Sequence, residues 1–314
     1  MICIKKIKNK IKMLSSQERI ISILFCVLLA IIIKANFFNN SNNNIKISES
    51  ISYYEENPST SSPKISNTNM YKVINIFPRK NPTVYTQGLI YHNHSIYESG
   101  GLYKKSTLTQ MEWPSQKIIK KINLDNKYFA EGISVNHEKK ILYQLTYKEK
   151  EIILYSFPSL EVIKKIKMPS EMREGWGLCS GIEKNEFFST DGSDKIFVLK
   201  INDNNNELKV INTIQVTSNM RPVYNLNELI YDGVYIYANV YFKDAILKIN
   251  PRNGQVMNIY DMKPLIDYEF KNGNLTSHRL YRGDVLNGIT YIPEKKSFIL
   301  TGKLWNFYYE IIFN

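Results

Sequence analysis

Five short segments of the 314-residue chain share a pattern in which a polar or aromatic residue stands two positions before a Leu or Ile. They are Gln87-Gly88-Leu89, Glu131-Gly132-Ile133, Trp176-Gly177-Leu178, Asn227-Glu228-Leu229 and Asn287-Gly288-Ile289. One carboxylate, three amides and an indole occupy the opening position. A carboxylate can take a proton and return it, amides can hold a polar group from both sides, and an indole can wall it off from water. Core-filling positions would carry small or apolar residues instead, because a buried polar group without a partner is costly. If the fold brings these five together, they form a polar cup, and Glu131 is its best-placed acid.

Other chemistries find little support. The His residues are at 92, 94, 137 and 278, and none has an acid or Cys at metal-ligand spacing, so they read as surface residues and no metal is expected. There is no G-x-S-x-G elbow, no P-loop and no H-E-x-x-H. Cys3 and Cys26 fall in the N-terminal segment and Cys179 stands alone, which excludes a disulfide within the main domain and suggests that Cys179 is buried filler.

The elements that must position the cup repeat with it. The five openers recur at intervals of roughly 44–60 residues, the range in which repeats mean stacked or radially arranged units. After each opener comes a run that starts with an aromatic or Leu, at Tyr97, Tyr143, Phe188, Tyr237 and Leu300. Next is an apolar strand, such as Ile152-Ile153-Leu154-Tyr155, Ile196-Phe197-Val198-Leu199 or Ala245-Ile246-Leu247-Lys248-Ile249. An outer strand rich in Lys and Ile follows, at Lys117 to Leu124, Val162 to Met168, Lys209 to Val216 and Gln255 to Tyr260. Short alternating runs bounded by Asn, Gly, Pro and Asp are strands and hairpins, not helices, and four per repeat is the make-up of a propeller blade. The fold expected is all-β, a five-bladed propeller. Its fifth repeat stops at Tyr308 to Asn314 without an outer strand, and Tyr71 to Phe77 has that character, so the N-terminal strand is expected to complete the last blade.

Composition agrees with one large β domain: 43% hydrophobic, 12% aromatic and 22 Tyr. The net charge of +12 is spread as Lys through alternating strands with no basic helix or aromatic–basic motif, and no nucleic acid partner is expected. Residues 1–19 are basic, and Ile20 to Ile33 is apolar apart from Ser22 and extendable through Phe38. This is a signal anchor or signal peptide over 20–38, with the rest of the chain facing the lumen or exterior. Residues 39–69 are an Asn/Ser-rich linker with too little apolar surface to order, and 70–314 the propeller. A secretory-pathway address, membrane-anchored or secreted, would allow Asn93-His94-Ser95 and Asn274-Leu275-Thr276 to be glycosylated.

Nine motifs occur in order between Tyr71 and Ile311: Tyr85-Thr86-Gln87-Gly88-Leu89, Tyr97-Glu98-Ser99 with Gly101-Leu102-Tyr103, Phe129-x-Glu131-Gly132, Gln144-x-Thr146, Glu174-Gly175-Trp176-Gly177-Leu178, Leu226-Asn227-Glu228-Leu229, Ala238-Asn239-Val240, Leu286-Asn287-Gly288-Ile289 and Thr301-Gly302-Lys303-Leu304-Trp305. Together they resemble plant-type glutaminyl-peptide cyclotransferases. The resemblance implies a five-bladed propeller, here expected as a monomer. It would convert the N-terminal glutamine of peptides and proteins to pyroglutamate without metal or cofactor. It assigns Glu131 as the catalytic carboxylate, Gln87, Trp176, Asn227 and Lys303 to the pocket, and Tyr85 and Phe129 to its aromatic wall. Tyr147 and Tyr241 stand where the family commonly has Trp, which keeps an aromatic face but reduces contact area. Asn287 joins the substrate-binding set as an opener, whereas Glu98, on the following strand, is expected to be structural. Two other classes fit the openers alone: a calcium-dependent propeller hydrolase using Glu131, Asn227 and Asn287, and a non-catalytic docking propeller.

Overall fold

The computed structural model describes residues 70–314; the basic region, signal segment and linker expected over 1–69, with Cys3 and Cys26, lie outside the described residues. Five four-stranded antiparallel sheets form the domain. The first four hold β2 to β5 (Thr86–His92, Ser95–Gly100, Thr107–Glu112, Ile118–Asn123), β6 to β9 (Ala130–Asn136, Ile141–Thr146, Glu151–Ser156, Val162–Lys167), β10 to β13 (Leu178–Ser180, Glu186–Thr190, Lys195–Ile201, Leu208–Gln215) and β16 to β19 (Leu226–Tyr231, Ile236–Val240, Ala245–Ile249, Val256–Asp261). The fifth runs β20 (Leu286–Ile292), β21 (Ser297–Gly302), β22 (Phe307–Phe313) and then, outermost, β1 (Tyr71–Pro78), paired from Tyr71 opposite Phe313 to Pro78 opposite Phe307. Inner strands β2, β6, β10, β16 and β20 neighbour one another in turn, and β20 packs back on β2, so the sheets form a closed five-bladed propeller.

Each apolar cluster of the core lies between two successive blades. Tyr143 and Leu154 of one sheet meet Phe187 and Phe197 of the next, and Leu89 and Ile96 of the first meet Ile299 and Tyr308 of the last. This is why strands in the middle of the sheets are apolar with few breaks: β7 and β21 are buried on both faces. Outer strands β5 and β9 expose every Lys-bearing position wholly or in part, and a row of charges discourages pairing with another chain.

The inner strands come unusually close. A Cβ at Gly132 would lie 2.5 Å from the Leu178 amide nitrogen, one at Gly177 2.3 Å from the Asn227 carbonyl, and one at Gly88 2.8 Å from the Ile133 nitrogen. These glycines are therefore required by space, and the Gly132 N–H uses the gap to donate to the Trp176 carbonyl at 2.7 Å. Four of the inner strands also carry a register shift where the opener sits, between Thr86 and Gly88, Ala130 and Ile133, Leu226 and Leu229, and Leu286 and Ile289. A bulge bends the strand and re-aims its side chains, here at the end of the channel.

Three features depart from the strand-only reading. The widest repeat interval holds two helices, α1 (Lys263–Asn272) and α2 (Ser277–Tyr281). The inward face of α1 is Leu265, Ile266 and a buried Glu269, which accepts from the Asn306 and Phe307 N–H groups and the Tyr309 hydroxyl. A Glu at a core position hides the helical period from hydropathy. A two-residue hairpin, β14 (Thr217–Ser218) with β15 (Arg221–Pro222), follows β13, and the third inner strand β10 starts only after Trp176.

Just past β1, buried Arg79 donates to Glu98 at 2.7 Å, to Thr86 and to Thr301, and lies 4.6 Å over the Tyr308 ring. Glu98 also accepts from Thr86 and Tyr308, which accounts for its expected structural role. Residues 70–314 are expected to fold as they do in the full chain. A shorter chain beginning at Pro78 bares the β22 edge and removes buried Tyr71, and is expected to lose roughly 3 kcal/mol or more. Thermal and urea melts of the two fragments check this; equal midpoints would mean that β1 does not hold the ring.

Candidate active site

The bulged ends of the inner strands open into a cavity of about 210 Å³ lined by Tyr85, Gln87, Phe129, Glu131, Tyr147, Trp176, Asn227, Tyr241 and Lys303. It is smaller than the ~300–1,000 Å³ of drug-sized sites. The sequence-derived site residues thus come together, with one correction. Asn287 does not line the cavity; it stands behind Gln87, its Nδ2 donating to the Gln87 Oε1 and the Thr86 carbonyl, each at 3.0 Å. Its amide is turned sideways onto the neighbouring strand β2, so it orients Gln87 and leaves the Gln87 amide N–H free to donate.

Glu131 is held from the backbone. The Ser99 hydroxyl donates to the Glu131 carbonyl at 2.5 Å, Gln144 Nε2 donates to Ser99, and Tyr155 donates to Gln144 Oε1, each at 2.8 Å. This buried chain from two blades gives a physical role to the Tyr97-Glu98-Ser99 and Gln144-x-Thr146 motifs. Among the described residues nothing hydrogen-bonds the Glu131 carboxylate, which is 4% exposed and faces the cavity. The amide of Asn227 is similarly uncommitted, while its backbone carbonyl accepts from Thr190 at 2.9 Å.

Lys303 follows β21 in a turn that Trp305 pins by lying on Gly302, where a Cβ would meet the indole at 2.2 Å. The Lys303 and Leu304 N–H groups donate to Val285 and Val84, each at 2.9 Å. Its ammonium sits 4.9 Å over Tyr85 and 4.6 Å over Tyr241, a cation between two ring faces. The remaining wall is aromatic packing: Tyr85 edge-on to Phe129 at 6.2 Å, Phe129 tilted on Tyr147 at 5.7 Å and Trp176 edge-on to Tyr241 at 5.8 Å. Gly192, at φ +76°, makes room for the Trp176 ring.

Burial dominates the electrostatics. It pushes the Glu131 carboxyl well above the ordinary carboxylate range; the Lys303 charge opposes this, and Glu174 and Glu149 add to it. Burial likewise pulls the Lys303 amine down to about 8 against the attraction of Glu131, Glu228 and Asp284. No ion pair closer than 4 Å joins the two, so each is tuned through space by the other and both stay available to a ligand.

Several residues were given no role by the sequence reading, although Glu174 and Glu228 stand within its motifs. Glu149 and Glu174 stand at the rim on non-repeating loops; Glu174 accepts from the Trp176 indole at 3.0 Å, and Glu149 from Tyr103 at 2.9 Å. Glu228 is fully buried at the position that is glycine in the other four copies, a signal visible in the repeat alignment. Its Oε1 accepts from the Leu89 N–H across the channel at 3.1 Å, and its Oε2 has no partner. His92 also differs from the surface reading: it is half-buried and stacks on His137 at 4.7 Å, away from the cavity. Cys179 is buried. Among the described residues no group of three or more His, Cys, Asp or Glu could hold a metal ion.

Fold and pocket define a five-bladed propeller with a small aromatic cavity that holds a buried carboxyl and a buried amine. The chain matches the glutamine cyclotransferase family model over residues 47–313 and belongs to that family. It is 32% identical over 245 residues to the glutaminyl-peptide cyclotransferase of Arabidopsis thaliana, covering 77% of this chain and 71% of that one. The crystal structure of Myxococcus xanthus glutaminyl cyclase superposes with a TM-score of 0.65 at 27% identity, over 77% of this chain and 95% of that one.

Burial pushes the Glu228 carboxyl well above its ordinary value, opposed by the Leu89 N–H and reinforced by Glu131. Folding therefore favours its protonated form. The stability this contributes is complete below the unfolded carboxyl value of ~4.3 and is lost as pH rises through the folded one. Glu228→Gln imitates the neutral acid and removes that loss. The variant's stability relative to wild type is expected to increase between about pH 5 and pH 8. Urea melts at both pH values check this; a constant difference would mean that Glu228 is charged in the fold.

Proposed function

We propose that Glu131 is the general acid–base of a glutaminyl-peptide cyclisation carried out in this cavity. The activity is that of a glutaminyl-peptide cyclotransferase: an N-terminal glutamine becomes pyroglutamate and ammonia leaves. The observation that carries the residue assignment is the uncommitted, buried carboxylate of Glu131, sharing one small aromatic cavity with Lys303 and the amides of Gln87 and Asn227.

The free α-amine, with a pKa of ~7.7–8.0, must be neutral to attack the γ-carbonyl carbon of its own side chain. As the new C–N bond forms, Glu131 takes a proton from that nitrogen. It then gives the proton to the departing amide nitrogen as the old C–N bond breaks, so one proton moves and ammonia is released. A carboxyl whose affinity for protons is raised by burial suits both halves of this exchange. Lys303, with the Gln87 and Asn227 amides, stabilises the charge that develops on the carbonyl oxygen. The aromatic walls hold the flexible side chain folded back on the amine, which replaces a costly search by a fixed approach.

The same reading extends to the rest of the chain. The apolar stretch 20–38 behind a basic segment is read as a signal anchor or signal peptide that places the propeller in the lumen or outside the cell. Both sequon asparagines, Asn93 and Asn274, are exposed, as glycosylation requires. The propeller is read as a monomer that needs no metal.

The experiment is an assay on a Gln-initiated peptide, following ammonia and the matching loss of mass. Glu131→Gln is expected to stay folded and bind substrate but turn it over roughly 10²–10⁴-fold more slowly. Near-normal kcat in a folded Glu131→Gln enzyme would remove Glu131 from the chemistry. Dialysis against EDTA or a heterocyclic zinc chelator is expected to leave the rate unchanged, and a loss reversed by zinc or calcium would make the enzyme metal-dependent.

A further inference from the structure

Phe242 lies in the turn after β17 and is 52% exposed, yet its backbone is left-handed at φ +60°. A bulky side chain in that region is strained, at a cost of ~1–3 kcal/mol that surroundings must outweigh. The surroundings here offer little: its one ring contact is Tyr241, at 4.2 Å between centroids. The corresponding turns of other blades hold Gly192 at φ +76°, where no strain arises, and Leu102 at φ +87° and Leu304 at φ +57°, both half-buried, so Phe242 is the exposed side chain among these left-handed positions. An exposed phenylalanine thus stands where glycine or asparagine would serve the fold better.

Its position gives the reason. Tyr241 lines the cavity and packs on Trp176, and the exposed Phe242 ring packs on Tyr241 from outside that lining. A peptide whose first residue fills the cavity must leave by the mouth, and one residue of chain reaches only ~3.3–3.6 Å further. The side chain of the second residue therefore meets the rim. Tyr103, an exposed ring packed on the cavity wall, already has a structural role: it packs on Phe129 at 5.4 Å and donates to Glu149.

We propose that Phe242, backed by Tyr241, is a specificity-determining contact for the residue that follows the N-terminal glutamine, and that it selects an aromatic or bulky apolar side chain there. The proposal rests on the cyclisation reading of the cavity. Offset or edge-to-face aromatic pairs contribute modestly beyond their buried area, so the expected preference is about 3- to 10-fold in kcat/KM. Because the contact is made alike before and during the reaction, it is expected in KM.

The test compares Gln-Phe-amide with Gln-Gly-amide on the full-length chain, wild type against Phe242→Asn, Phe242→Gly and Phe242→Tyr. Wild type and Phe242→Tyr are expected to favour Gln-Phe-amide through a lower KM. The Asn and Gly variants are expected to lose that ratio with no fall in melting temperature, since both residues accept the left-handed turn. An unchanged ratio in the Asn and Gly variants, a ratio near one in wild type, a change confined to kcat, or a clear drop in melting temperature of both variants would overturn it. A wild-type enzyme that cyclises neither peptide would instead overturn the activity assignment.

Discussion

Inner strands converging on one axis leave no room for a Cβ at three of their close approaches, and much of the molecule follows from that. Gly88, Gly132 and Gly177 each face a neighbouring strand at a distance no side chain tolerates. Closeness of this kind needs each blade to meet the next along its whole face, which is why the apolar clusters lie between sheets and not within them. It also forces the local bulges, and the bulges turn Gln87, Glu131 and Asn227 out of the sheet and into one cavity. The site is thus a consequence of how the ring closes.

The cavity then holds two groups that burial drives in the same direction, towards neutrality. Glu131 is pushed up and Lys303 down to about 8, each partly restored by the other's charge. An acid and an amine brought nearer in proton affinity exchange protons at low cost, which suits a reaction whose nucleophile and leaving group are both nitrogens. The ring faces of Tyr85 and Tyr241 allow Lys303 to remain charged without a direct anionic partner. Glu228, one layer deeper, adds a carboxyl whose neutral form is the compatible one beside Glu131.

Outside the mouth the surface is built by turns, and the turns share a backbone while differing in side chain. Gly192 and Phe242 make the same left-handed bend in adjacent blades. One accommodates the Trp176 ring, and the other projects a ring of its own. Position in the fold sets the backbone, while the side chain placed on it is free to vary with what passes over the rim.

The sequence by itself determined the blade count, the strand order within each blade and most of the cavity. These rest on local period and on a repeat that brings Gln87, Glu131, Trp176 and Asn227 to one end of the ring, and the family motifs added Tyr85, Phe129, Tyr147, Tyr241 and Lys303. Tertiary structure alone decided the rest. Whether an opener points into the cavity or behind a neighbour depends on the bulge and on the strand beside it. Asn287 therefore supports Gln87 instead of touching ligand. The helix α1 stayed hidden because its buried face includes Glu269, whose partners at Asn306, Phe307 and Tyr309 come from a distant part of the chain. Proton affinities belong to the same class. Glu131 and Glu228 are both plain glutamates in sequence, and only tertiary contacts leave one carboxylate facing the cavity and set the other against the Leu89 N–H, with burial raising the proton affinity of both.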